Sequence, residues 1–191
     1  MMRVVVGTKN AHKIEELERI LVPLVPGLQL IPAAGPSPEE DGETFGDNAL
    51  IKARVAYAES GIASIADDSG LVVRALGGRP GIYSARYSGS GDDAQNTALV
   101  LSQMAAVDDR AAHFVCAAAL VWEGGEVVLE SLWEGTLAKE PAGAGGFGYD
   151  PIFIPHGHVL TSAELSPNQK DALSHRGQAF RALAVHVAAL R

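Results

Sequence analysis

Hydrophobic and polar residues along this chain follow two alternating periods, and the switches between them outline its elements. Residues 3–7 are a nearly continuous apolar run, as in a strand buried on both faces. After residues 8–13 the period lengthens. Ile14, Leu17, Ile20 and Leu21 fall on one helical face, with Glu15, Glu16, Glu18 and Arg19 elsewhere. A short strand is predicted at 28–31, a Pro-rich acidic loop at 33–42, and a helix over 44–60 with Gly61 as its C-cap. Strands at 62–66 and 71–75 flank Asp67-Asp68-Ser69-Gly70, whose residue types predict a polar turn. An irregular loop at 77–81 leads to a helix over 92–105. Two long β runs, 113–122 and 127–136, are joined by Glu123-Gly124-Gly125-Glu126, a hairpin signal. A Gly-rich stretch at 143–148 precedes a short strand at 152–154. Ser174 is placed to N-cap a last helix with Phe180, Leu183, Val187 and Leu190 on its apolar face. Strand–helix–strand units around a central hairpin predict an α/β fold: one domain over residues 1–191, with a mixed central β-sheet flanked by helices.

Composition narrows the picture. The chain has 191 residues, of which 47% are hydrophobic, sufficient for a substantial core. Its longest apolar run, residues 114–122, is too short to cross a bilayer. The opening Met1-Met2-Arg3-Val4-Val5-Val6 lacks the apolar core and cleavage site of a signal peptide and reads as strand. The single cysteine, Cys116, lies in an apolar run and suits a buried thiol in a reducing, cytoplasmic setting. A net charge of −8 disfavours nucleic acid and anionic membranes as partners. A small anionic ligand would instead need a local cluster of cations, a metal ion or a helix N-terminus.

Asp67 and Asp68 are the first candidates for chemistry. Adjacent carboxylates beside buried strands repel each other and lose hydration, and a cation beside them offsets both costs. Mg²⁺ takes oxygen ligands, commonly one or two carboxylates plus substrate phosphates. Glu39, Glu40 and Asp41 form an acidic loop that offers a second carboxylate. Thr8, Asn10 and Lys13 occupy a strand-to-helix turn, where an α/β sheet opens its ligand crevice and a helix N-terminus offers N–H donors to an anion. The same turn also reads as a plain helix entry with Asn10 as N-cap. Lys52, one turn after Asn48, reads either as a phosphate ligand or as an exposed helix lysine.

Gly145-Gly146-Phe147-Gly148-Tyr149-Asp150-Pro151 leaves an aromatic ring between glycines, open to a flat base, with Pro151 restricting the backbone at Asp150. It is equally compatible with a tight crossover using Phe147 as a core plug. Ser174-His175-Arg176-Gly177 puts two basic residues in a helical first turn, where the dipole disfavours cations, so another use for them is expected, such as donating to a ligand carbonyl. His156-Gly157-His158 has the spacing of a metal pair but is flanked by Pro155 and reads as loop.

Taken in order, Thr8-x-Asn10-x-x-Lys13, Ala66-Asp67-Asp68-Ser69-Gly70, Gly78-x-Pro80-Gly81-x-Tyr83-Ser84-Ala85-Arg86, the Gly145–Pro151 string and Ser174-His175-Arg176-Gly177 resemble the inosine/xanthosine triphosphate pyrophosphatases, the house-cleaning dITP/XTP hydrolases. The resemblance runs from Val4 into the final helix. It implies a two-lobed domain with a cleft between the lobes, Mg²⁺-dependent cleavage of ITP, dITP and XTP to the monophosphate and pyrophosphate, and a homodimer. Carried onto this sequence, it implies Asp68 as the catalytic carboxylate and Glu39 with Asp68 as metal ligands, Glu40 being the neighbouring alternative. Thr8, Lys9, Asn10, Ala11, His12, Lys13 and Ser69 would bind the phosphates. Phe147, Gly148 and Tyr149 would bind the purine, with Asp150, Lys170, His175 and Arg176 reading its edge. Two rival readings are a phosphatase with an aspartyl nucleophile, which lacks its first Asp because Ala66 stands two before Asp68, and a nucleotide-binding regulator without turnover.

Overall fold

The computed structural model describes residues 1–190. The strands are β1 (Met2–Val6), β2 (Leu28–Pro32), β3 (Ser64–Val73), β4 (Ala111–Trp122), β5 (Gly125–Leu137) and β6 (Phe153–Pro155). The α-helices are α1 (Ala11–Leu21), α2 (Phe45–Ser60), α3 (Asp93–Gln103), α4 (Pro167–Leu173) and α5 (His175–Ala188). The strands form one hydrogen-bonded order, β2-β1-β3-β4-β5-β6. β1 runs parallel to both β2 and β3, whereas β5 and β6 are antiparallel, so the sheet is mixed as expected.

The chain divides into two compact units, and β3, β4 and β5 each pass from one to the other. The first comprises residues 1–68 and 116–131 with the segment that begins at Ser174; the second comprises residues 69–115 and 132–173. In the first unit the two sheet faces bury different side chains. Ile65 and Cys116 pack with Leu17, Ile20, Phe180 and Leu183 of α1 and α5. Ala66, Ala117 and Ala119 pack against Ala49 and Ala53 of α2, where small residues let helix and sheet approach closely. In the second unit Phe114, Trp133 and Phe153 form an aromatic centre, with the Phe114 and Phe153 rings 4.6 Å apart at 61°.

Local signals set most boundaries. Thr44 caps α2 in a reciprocal box with Asp47, and Gly61 ends it in the left-handed conformation. Asp92 and Ser174 accept backbone N–H groups as N-caps of α3 and α5. The polar turn expected at residues 67–70 does not form. These residues continue β3 without a break, because Asp67 and Asp68 each meet cationic partners on the face they occupy and neither carboxylate has to turn out to solvent. α4, which the hydrophobic pattern did not announce, fills the segment before Ser174.

Candidate active site

Continuity of β3 sets which way each acidic side chain faces. Successive strand residues face opposite sides of a sheet, so Asp67 follows Ile65 towards α1 and α5, and Asp68 follows Ala66 towards α2. The two carboxylates are adjacent in sequence but are served by different partners.

On the α2 side, Asn48 and Lys52 lie one helical turn apart and both reach Asp68. Asn48 Nδ2 donates to Asp68 Oδ2 at 3.1 Å, and Lys52 Nζ lies 3.3 Å from Asp68 Oδ1. Lys52 also donates to Glu40 Oε1 at 2.8 Å, so one ammonium joins the acidic loop to the strand. It is 7% exposed, and Asn48 is fully buried. The Asn48 carbonyl accepts the Gly42 N–H at 2.9 Å, which anchors the loop carrying Glu40. Burial raises the Asp68 carboxyl above its ordinary value, opposed by Lys52 and Lys13 and assisted by the charge of Glu40. A raised carboxylate is a better proton acceptor than an ordinary one. Burial works against the Lys52 ammonium, yet Asp68, Asp67 and Glu40 together hold it above the ordinary lysine value.

On the other side, Asp67 is 1% exposed and ringed by cations. Lys13 Nζ donates to its Oδ2 at 3.0 Å, and Arg176 reaches the same oxygen through Nη2 at 2.9 Å and Nε at 3.3 Å. Arg176 Nη1 donates to Glu16 Oε2 at 2.7 Å. Burial alone would raise Asp67, but Lys13, Arg176 and Lys52 hold it far below the ordinary carboxylate range. Its Oδ1 is buried without a hydrogen-bond partner. The Cys116 thiol lies 3.9 Å from Oδ2, and burial with the Asp67 charge pushes it up, away from thiolate.

The turn between β1 and α1 completes this unit's polar surface. Asn10 caps α1 by accepting the Lys13 N–H, and Thr8 Oγ1 accepts the Asn10 N–H at 3.2 Å. Lys9, Asn10, Ala11 and His12 are exposed there. Gly7 brings the turn close to its neighbours: a Cβ would stand 2.9 Å from the Lys52 carbonyl oxygen and 3.2 Å from the Ala66 Cβ. Ser69, in the second unit, follows Asp68 along β3 and is half-buried.

In the second unit a separate cluster is built on Asp150. Its carboxylate accepts from the Phe147 N–H at 2.8 Å, the Ser162 hydroxyl at 2.8 Å and Lys170 Nζ at 2.6 Å. Gly146 adopts φ +69°, and a Cβ there would collide with the Asp150 carboxylate, so the loop closes only through glycine. Lys170 Nζ stands 4.8 Å from the centroid of the half-buried Phe147 ring.

The remaining candidates fall in distinct surroundings. Glu40 meets Lys52 beside Asp68, while Glu39 is exposed. Arg176 was expected at the edge of a base. It is 2% exposed and engaged by Asp67 and Glu16, which also explains how a cation is tolerated in the first turn of α5. The Tyr149 side chain is core, its hydroxyl donating to the Ser84 carbonyl at 2.8 Å. Asp150 is occupied in holding Phe147 and Lys170. His175 is buried behind the Ser174 cap, and His156 and His158 lie on an exposed loop. Sequence reading missed Glu16, Asn48 and Ser162. The i,i+4 pair Asn48–Lys52, set among Ala49, Ala53 and Ala56, was the available signal, because that alanine stripe faces the sheet.

The chain thus combines a mixed α/β sheet, a carboxylate–ammonium centre on β3 and α2, and a capped strand-to-helix turn between β1 and α1. The chain belongs to the Ham1 family, whose model matches residues 4–186. It is 53% identical to the dITP/XTP pyrophosphatase of Mycobacterium tuberculosis over 99% of this chain and 95% of the relative. The protein of the same name from Leifsonia xyli is 52% identical over 96% and 94%. Among solved structures, a HAM1 protein from Coxiella burnetii superposes with a TM-score of 0.88 at 40% identity, covering 99% of this chain and all of the other. The nucleoside-triphosphatase of Mycobacterium abscessus, also described as a dITP/XTP pyrophosphatase, gives 0.76 at 49% identity over 95% and 98%.

Proposed function

We propose that this protein hydrolyses deaminated purine nucleoside triphosphates, ITP, dITP and XTP, to the monophosphate and pyrophosphate, and so removes them from the nucleotide pool. Near-full-length identity of about half to curated dITP/XTP pyrophosphatases supports the activity. The observation that carries the mechanism is Asp68, held by Asn48 and raised by burial beside Glu40 and Lys52. Asp68 orients a water against the α-phosphorus and takes its proton as the new P–O bond forms. The bond from the α-phosphorus to the bridging oxygen breaks, and pyrophosphate leaves. Thr8, Lys9, Asn10, Ala11, His12, Lys13 and Ser69 hold the phosphates, using the backbone donors that open α1 and the Lys13 charge.

Glu40 and Asp68 are the residues that would hold Mg²⁺. Both already converge on one cation, the Lys52 ammonium, and both offer hard oxygen donors. Among the described residues no three His, Cys, Asp or Glu side chains cluster to hold a metal, so substrate oxygens and water would complete the coordination. The ion supplies neutralisation of phosphate charge. In the second unit Phe147 offers its ring to the purine, and Lys170, steadied by Asp150, offers a donor that a 6-keto oxygen accepts and a 6-amino group does not. A buried donor left unpaired costs about 1–3 kcal/mol, which favours hypoxanthine and xanthine over adenine. The buried free thiol of Cys116 agrees with a cytoplasmic setting, and among the described residues no helix is long and apolar enough to cross a membrane. Homodimerisation, with the β4–β5 hairpin as its surface, completes the reading.

The test is product analysis with dITP, XTP, GTP and ATP in Mg²⁺ and in EDTA. Pyrophosphate from dITP and XTP, suppressed by EDTA and small with ATP, is expected. Orthophosphate as the product, or nucleotide binding without any product, overturns the reading.

A further inference from the structure

The Lys52 ammonium occupies the point on which Glu40 and Asp68 converge. Its Nζ lies 2.8 Å from Glu40 Oε1 and 3.3 Å from Asp68 Oδ1, on a side chain only 8% exposed. A divalent ion held by the same two carboxylates competes for these oxygens at nearly the same place. Ammonium and metal cannot share it at full strength, since like charges a few ångströms apart repel strongly where water is scarce. The displaced ammonium also needs a new anion, because a buried cation stripped of its partners is costly. Asp67, the next carboxylate along β3, does not provide one: it faces the opposite side of the strand, where Lys13 and Arg176 engage it.

Resting on the reading of Glu40 and Asp68 as the metal ligands, we propose that Lys52 is an internal placeholder cation, exchanged for the divalent ion only when a polyphosphate arrives to receive it. In the absence of nucleotide Lys52 neutralises the carboxylates and keeps metal affinity low. Nucleotide phosphates accept the ammonium as the metal takes its place, so metal and substrate enter together. Asn48 keeps Asp68 in position throughout the exchange, because it binds Oδ2 and leaves Oδ1 to the cation. The placeholder also keeps the buried Asp68 and the half-buried Glu40 from facing each other unshielded in the metal-free protein. A coupling of this kind typically tightens one ligand 5- to 150-fold in the presence of the other.

Mn²⁺ is the probe, measured by titration calorimetry and by the paramagnetic signal of the free ion on the full chain, with and without a non-hydrolysable α,β-imido analogue of dITP. Wild type, Lys52→Met, Lys52→Gln and Lys52→Arg are compared, with circular dichroism as the check on folding. Both neutral variants should bind Mn²⁺ without nucleotide about tenfold or more tightly than wild type, and the analogue should improve their affinity less. Lys52→Arg, which keeps the charge, should stay as weak as wild type. Equal nucleotide-free Mn²⁺ affinity in wild type and whichever neutral variant folds overturns the placeholder role while leaving the metal site intact. No Mn²⁺ binding by any form, even with the analogue, overturns the metal reading and the placeholder with it.

Discussion

Asp67 and Asp68 are consecutive residues whose carboxylates serve opposite faces of β3. Asp67 accepts from Lys13 of α1 and Arg176 of α5, and Asp68 accepts from Asn48 and Lys52 of α2. One carboxylate is thereby fixed as a permanent anion within a cationic ring. The other, raised by burial, is left able to exchange a proton.

Asp67→Asn removes the anion from that ring and strands the charges of Lys13 and Arg176. Breaking a buried pair in this way costs about 3–5 kcal/mol. The sign of the pH effect follows from the depressed carboxyl. An Asp held below its ordinary value of about 3.9 stabilises the fold above that pH, and the contribution is lost as pH falls towards the lower folded value. Urea unfolding of both proteins should show a constant gap from pH 5 to 7 that narrows below pH 4. A gap that widens in acid contradicts this assignment.

Arg176→Ala should impair the protein without changing its choice of base. The guanidinium binds Asp67 and Glu16, so its loss should lower stability by a similar ~3–5 kcal/mol and reduce kcat/KM for dITP and dATP by about the same factor. Arg176→Lys, which keeps charge but not the fork, should recover only part of it. A selective change in the dITP-to-dATP ratio would put Arg176 back at the base.

The cap at Ser174 and the terminating Gly61 were legible in the sequence because each acts on neighbours within a few residues, while Thr44 and Asp92, read as the first residues of their helices, are the caps just outside them. β3 was not legible. Asp-Asp-Ser-Gly has turn propensity, and only the distant cations that meet each carboxylate show why it stays extended. The partners of Arg176 were hidden for the same reason: a misfit with the helix dipole was visible, but one anion that relieves it lies 109 positions away. The Glu39/Glu40 choice rested on loop register, which the Asn48–Gly42 anchor sets and which no local pattern encodes. Helix ends and apolar faces are local facts, whereas a charged centre is assembled from distant ones.

Glu40→Gln and Glu39→Gln separate the two neighbours. Glu40→Gln should raise the Mg²⁺ concentration needed for half-maximal activity by on the order of 10–100-fold. Glu39→Gln, exposed on the same loop, should leave it near wild type. The opposite ranking in a Mg²⁺ titration of initial rates would contradict the assignment of Glu40.

Asp150→Ala releases both the Phe147 amide and Lys170. Loosening the stacking loop should raise KM for dITP more than it lowers kcat, along with a measurable loss of stability. Asp150→Asn, which can still accept from the Phe147 amide, should be milder. A fall in kcat at unchanged KM would move Asp150 from holding the loop to the reaction itself.

Asp68→Asn tests the centre most directly, because it keeps the shape and removes only the proton acceptor. Turnover of dITP should fall by about 10²–10⁴-fold, the range for a general base, while affinity for the non-hydrolysable analogue stays within a few-fold of wild type. Turnover within threefold of wild type would show that Asp68 does not activate the water.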